Sequence, residues 1–101
     1  HNSVDIILID LLRAGGISQW MKIAHIAEIN NLKIASHLAT ETLLHCVAAS
    51  PNGLWVEHMP WTFPMFEQEP TVKDGYMILP DDPGIGVNFD ESALKKYKHT
   101  G

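Results

Sequence analysis

One cysteine, seven basic side chains and no long apolar run are the shortages that first narrow this 101-residue sequence. The single thiol, Cys46, excludes an internal disulfide and fits a reducing, cytoplasmic setting. Seven Lys and Arg against twelve Asp and Glu leave a net charge of −5. That balance argues against nucleic acid and anionic membrane surfaces, since both need clustered cations. No stretch approaches the roughly 20 apolar residues of a membrane helix. No basic region with an apolar core and a small-residue cleavage site opens the chain, so no secretory leader is expected. Glycines occur, but AGGIS and PGIGV match neither GxGxxG nor a phosphate loop, which leaves nucleotide binding without support. What is present is an ordinary globular balance, 46% apolar and 19% charged, enough for one small domain at most.

The chain has a clear internal order. VDIILI, residues 4–9, is a nearly continuous β-branched and apolar run, the pattern of a strand buried on both faces. Asp10 ends it, and Arg13-Ala14-Gly15-Gly16 reads as a loop. Ser18 is placed to cap a helix in which Trp20, Ile23, Ala24 and Ala27 form one apolar stripe. Asn30-Asn31 breaks that period. A second strand, Leu32 to Ser36, leads to His37. A second helix spans about Thr40 to Ala49 with Leu43, Leu44, Val47 and Ala48 as its buried side, and the breakers Ser50-Pro51-Asn52-Gly53 close it. A third strand, Leu54 to Val56, arrives at Glu57. This β-α-β-α-β order with short connections predicts right-handed crossovers and a parallel sheet, an α/β fold. Beyond it, HMPWTFPMFEQEP is too irregular for a regular element and too apolar for a free linker, so it is expected to pack across a surface. GYMILPDDPGIGV reads as an extended stretch closed by a Pro-Gly turn, and FDESALKKYKH as a final helical turn or two.

Asp10, His37 and Glu57 each follow the carboxyl end of a predicted parallel strand, the edge at which parallel α/β folds place their chemistry. A carboxylate beside a histidine fixes the ring tautomer and stabilises its charged form, a general acid/base pair. A nearby protonated Glu can donate a hydrogen bond to a developing oxyanion. Each residue also has a plain structural explanation. Asp10 can bond Arg13 or the loop backbone, His37 can be a satisfied histidine at a helix entrance, and Glu57, beside His58, can be a solvated charge. Their joint placement favours function. A rival grouping is His37, Glu41 and His45, spaced by four, which on one helix would suggest a metal site of two histidines and a carboxylate. Glu41 in a first helical turn is equally explained by the helix dipole. Cys46 reads as a small core residue, and Trp20, Trp55 and Trp61 as core more than ligand-stacking side chains.

The segment DLLRAGGISQWMKIAHIAEINNLKIASHLATETLLHCVAASPNGLWVEHM resembles the C-terminal part of the barrel domain in the mandelate racemase group (the mandelate racemase/muconate lactonizing enzyme family) of the enolase superfamily. The marks are an Asp before R-x-GG-[IVT]-x-x-W, the K-I-A-x-x-A helix, a strand ending in S-H, H-x-x-A-A-x-P-N and a W-x-E strand. The later DGYMILPDDPGIGV is similar to the family's closing segment. The resemblance covers nearly the whole chain, and the order and spacing of the motifs make it strong.

It implies that residues 1–58 are strands six to eight of a (β/α) TIM-type barrel, with about three parallel strands and two helices. Residues 59–101 would be a tail packing on the barrel and a capping domain, and the whole would be incomplete on its own. It implies catalytic roles for Asp10, His37 and Glu57. The His–Asp pair would act as base or acid at the carbon next to a substrate carboxylate, with the Glu at that carboxylate as it becomes an enediolate. The family's Mg²⁺ is implied too, but its carboxylate ligands and the opposing lysine base belong to strands outside this sequence. The expected activity is that of an acid-sugar dehydratase, a lyase acting on a small carboxylate such as a sugar acid. A racemase or epimerase is the alternative within the class, and an inactive remnant or interaction module the alternative outside it. The expected partner is the remainder of the barrel and cap, or a homo-oligomer. Alone, the segment is expected to be inactive and poorly stable.

Overall fold

The structure, a computed structural model, describes residues 3–99. It divides into two compact units, one ending at Met59 and the other beginning at Pro60. The first contains β1 (Ile6–Asp10), α1 (Leu11–Ala14), α2 (Ile17–Ile29), β2 (Lys33–His37), α3 (Thr40–Ala48) and β3 (Gly53–Trp55). Its three strands form a parallel sheet in the order β1-β2-β3.

Register explains the burial. Ile7 pairs with Ile34 and Ile9 with Ser36, while Leu8 pairs with Ala35 and Asp10 with His37. Because side chains alternate, the Ile7, Ile9 and Ile34 set faces the helices and the Leu8, Asp10 and His37 set faces the other way. Ile9 and Ile34 join Trp20, Ala24 and Ala27 of α2 and Leu43, Cys46 and Val47 of α3 in one core. The expected stripe on α2 therefore holds. Asn30 stops the helix, its side-chain amide donating to Ile26 O at 2.8 Å, and Asn31 follows in the left-handed region with φ of 56°.

Several expectations are corrected. β1 is not buried on both faces, since Leu8 is 57% exposed on the face away from the helices. Trp55 pairs with Ala35 and is 61% exposed, and Trp61 is exposed as well, so neither is core. Leu8 and Trp55 share that face, each paired with Ala35. Residues 11–14 form a helical turn that Asp10 caps, where the glycine pair suggested a loop. α2 starts at Ile17 after Gly16, which makes no side-chain cap, so Ser18 lies inside the first turn. Ala48 is exposed and Cys46 takes its place on the buried side of α3. The third strand begins one residue early, at Gly53. A Cβ there would stand 2.4 Å from Val47 O, so only glycine fits where the chain leaves α3.

The second unit has a short 3-10 helix, Phe63–Met65, with Phe63 buried. β4 (Thr71–Lys73) and β5 (Tyr76–Ile78) pair antiparallel, and α4 spans Glu91–Tyr97. Asp74-Gly75 makes the two-residue hairpin turn, both with positive φ. The Phe66 and Phe89 rings stack at 5.0 Å, and Asp90 caps α4 by accepting from Ala93 N. The turn at Gly84 and the terminal helix match expectation. The β4–β5 hairpin, signalled by Asp-Gly in TVKDGYMI, is additional.

Candidate functional site

Strand pairing, not loop flexibility, brings the two central residues together. Asp10 and His37 close their strands as register partners, and His37 Nδ1 lies 2.6 Å from Asp10 Oδ2 across 27 residues of chain. The other carboxylate oxygen, Oδ1, accepts from Arg13 N at 2.8 Å and caps α1. Both explanations for Asp10 therefore apply at once: one oxygen serves the backbone and the other the histidine. The Arg13 N–H foremost, then the His37 ring, holds the Asp10 carboxyl below the usual carboxylate value.

An ionised Asp10 has no proton to give, so Nδ1 of His37 carries the hydrogen. In the neutral ring, Nε2 is then the basic nitrogen, and after uptake of a proton it is the acidic one. The Asp10 side chain is 14% exposed and that of His37 is 36% exposed. One member is held in place while the other remains accessible.

The Asp10 environment also sets a pH dependence. Its folded value lies below the reference of 3.8, so its contribution to stability is present above that reference. The contribution is lost as pH falls below it through the lower folded value. In acid denaturation, wild type is expected to lose stability relative to Asp10→Asn as pH drops below about 4. Stability-versus-pH curves of the two proteins that stay parallel across that window would contradict the assignment.

Glu57 does not contact the dyad directly. Its Oε2 accepts from Leu38 N, the residue after His37, at 2.7 Å. Its backbone N–H donates to Ser36 Oγ at 2.7 Å, and its carbonyl accepts from Thr40 Oγ1 at 2.8 Å. Ser36 and Thr40, read in the sequence only as strand and helix residues, are thus part of the site. Their signal is a hydroxyl one or three positions from a strand-end histidine, too common to stand out.

The rival metal grouping is not formed. His37 ends β2 and turns to Asp10, while Glu41 and His45 lie on α3. Among the described residues no group of three or more His, Cys, Asp or Glu can hold a metal ion. Asp10 has only His37 beside it, with no second carboxylate in the group, so the residues described do not fit a magnesium site. Cys46 is buried, which pushes its thiol up and makes it a poor nucleophile. No helix among the described residues is long and apolar enough to cross a membrane.

Parallel strands joined by helices, with ionisable residues at their carboxyl ends, define a parallel α/β unit whose functional edge is the carboxyl end of the sheet. The enolase C-terminal domain-like family model matches residues 1–93, and the chain belongs to that family. The L-talarate/galactarate dehydratase of Salmonella typhimurium is 38% identical over 94 residues, which cover 93% of this chain and 24% of that protein. The D-xylonate dehydratase of Haloferax volcanii is 31% identical over 98% of this chain and 26% of its own length. A crystal structure of L-talarate dehydratase from Polaromonas sp. JS666, complexed with Mg and L-glucarate, superposes with a TM-score of 0.88 at 37% identity. The match covers 94% of this chain and 26% of that one. The chain thus spans about a quarter of the length of the curated relatives it matches.

Proposed function

We propose that this chain is the C-terminal portion, strands six to eight and the following tail, of an enzyme that dehydrates a sugar acid, with His37 and Asp10 as a proton-transfer pair. The observation that carries this reading is the 2.6 Å contact between His37 Nδ1 and Asp10 Oδ2 at the carboxyl ends of paired parallel strands. Dehydration, ahead of racemisation, is supported by the named activities of the relatives, which include talarate/galactarate, xylonate and mannonate dehydratases.

The bond between hydrogen and the carbon next to the substrate carboxylate breaks, and a base takes the proton. The β-carbon to oxygen bond then breaks, and the hydroxyl leaves as water. His37 Nε2 is the atom that gives that proton, or takes the first one, and Asp10 stabilises the ring while it is charged. The remaining enol takes a proton at the β-carbon, loses the proton of its enol oxygen and becomes a 2-keto-3-deoxy acid. Glu57 meets the substrate carboxylate through the oxygen that does not bind Leu38. Any magnesium ion of the complete enzyme is held by residues outside the described ones, and no step here runs through it.

The exposed face of Leu8 and Trp55 and the open outer edges of β1 and β3 are the surfaces that further barrel strands cover in this reading. Residues from 59 onward then belong to the segment that packs on the barrel and cap. The test is the intact mass of the natural polypeptide, followed by assay with a panel of sugar acids for release of a 2-keto acid. A polypeptide several times heavier than 11.3 kDa that forms such a product is expected. A product of 11.3 kDa, or a larger one that turns over none of the acids, overturns the proposal.

A further inference from the structure

The hydrogen bonds around Glu57 form a closed arrangement that the proton-transfer pair does not explain. Glu57 lies past Trp55, the last paired residue of β3, where the sheet no longer fixes the backbone. Two fully buried hydroxyls take over that task. Ser36 Oγ accepts from Glu57 N, and Thr40 Oγ1 donates to Glu57 O. Thr40 Oγ1 also accepts from Met59 N at 3.1 Å, so its single hydrogen and one lone pair are both committed.

The bonding runs back in the opposite direction through the side chain. Glu57 Oε2 accepts from Leu38 N, and Leu38 and Ala39 adopt φ of 55° and 43°. Two successive non-glycine residues in the left-handed region are unfavourable, and such backbone persists only where its surroundings enforce it. The Glu57 bond to Leu38 N sits on the first of the two residues.

We infer that Thr40 and Ser36 are positioning residues: their hydroxyls fix the Glu57 backbone, the Glu57 carboxylate holds the left-handed turn at Leu38-Ala39, and that turn sets how His37 leaves β2. Only the effect on turnover rests on the proposed dehydration; the clasp itself does not.

The complete polypeptide is compared as wild type, Thr40→Val, Thr40→Ser and Ser36→Ala. Thr40→Val keeps the side-chain shape and removes the hydroxyl, and Thr40→Ser restores it. Hydrogen exchange at Leu38 N–H, read without substrate, is expected to accelerate about tenfold in Thr40→Val and to return within about twofold of wild type in Thr40→Ser. The acceleration is expected to centre on Leu38, whereas a general loss of packing would spread it along α3. On a substrate that is turned over, kcat is expected to fall about tenfold in Thr40→Val and to recover in Thr40→Ser. If Thr40→Val does not fold, Ser36→Ala is read in the same way. Wild-type exchange at Leu38 in a folded hydroxyl-deleted variant overturns the inference, as does failure of both variants to fold. Absence of turnover in wild type overturns the dehydration reading instead, and Leu38 exchange still decides the clasp.

Discussion

Under the proposed proton transfer, His37→Asn in the complete polypeptide is expected to lower turnover of a sugar acid by about a thousandfold or more, at the upper end of what a positioned acid/base group contributes. Asparagine can still offer a hydrogen-bond donor toward Asp10, so the sheet end and the Arg13 cap are retained. It has no nitrogen that can take up or release a proton near neutral pH. Calorimetric magnesium binding is expected to stay at the wild-type level, because no described residue group holds a metal and His37 is already committed to Asp10. Joint loss of turnover and metal affinity would place His37 in a metal site. Unchanged turnover would remove it from the chemistry.

Trp20→Ala is expected to cost about 3–5 kcal/mol of stability, the range for deleting a large aromatic from a packed core. Trp20 has no exposed surface and is the largest fully buried side chain. Its indole N–H donates to Ile9 O at 3.0 Å, which ties α2 to the strand residue preceding Asp10. Alanine removes both the ring and that bond, leaving a cavity in the core. Since whole domains are stable by about 5–15 kcal/mol, the change consumes a large share of the total. Trp20→Phe keeps most of the packing and is expected to lose about 0.5–1.5 kcal/mol, the net worth of the indole hydrogen bond. Denaturant unfolding followed by circular dichroism measures both. A Trp20→Ala midpoint equal to wild type would mean that this core does not hold β1 in place.

The order of elements is legible in the sequence because each carries a local signal. VDIILI is apolar and β-branched, the Trp20–Ala27 stripe has helical period, and Ser50-Pro51-Asn52-Gly53 is a dense breaker cluster. The pairing of Asp10 with His37 is legible through one step of reasoning, since strand ends in a parallel sheet converge. Other features needed tertiary information. Leu8 and Trp55 look like core by composition, and only the sheet's uncovered face leaves them exposed. The Asp10 cap on residues 11–14 competes with a glycine pair that reads as loop, and one carboxylate oxygen decides the outcome. Ser36 and Thr40 could not be singled out, because their role depends on where the Glu57 backbone arrives after a bulged β2–β3 register. Asp74-Gly75 is a hairpin signal present in the sequence that the Pro-Gly turn downstream obscured.

In the proposed reaction His37, held by Asp10, moves a proton at the carbon next to a carboxylate. The most direct measurement uses sugar acids that lack the β-hydroxyl, in both configurations at that carbon, incubated with the complete enzyme in D₂O. Such acids cannot lose water, so proton transfer appears only as exchange of that hydrogen, read by proton NMR. The wild-type enzyme is predicted to exchange it, and His37→Asn to stop exchange for at least one of the two configurations. Exchange of both at the wild-type rate in His37→Asn would exclude His37 from the proton transfer.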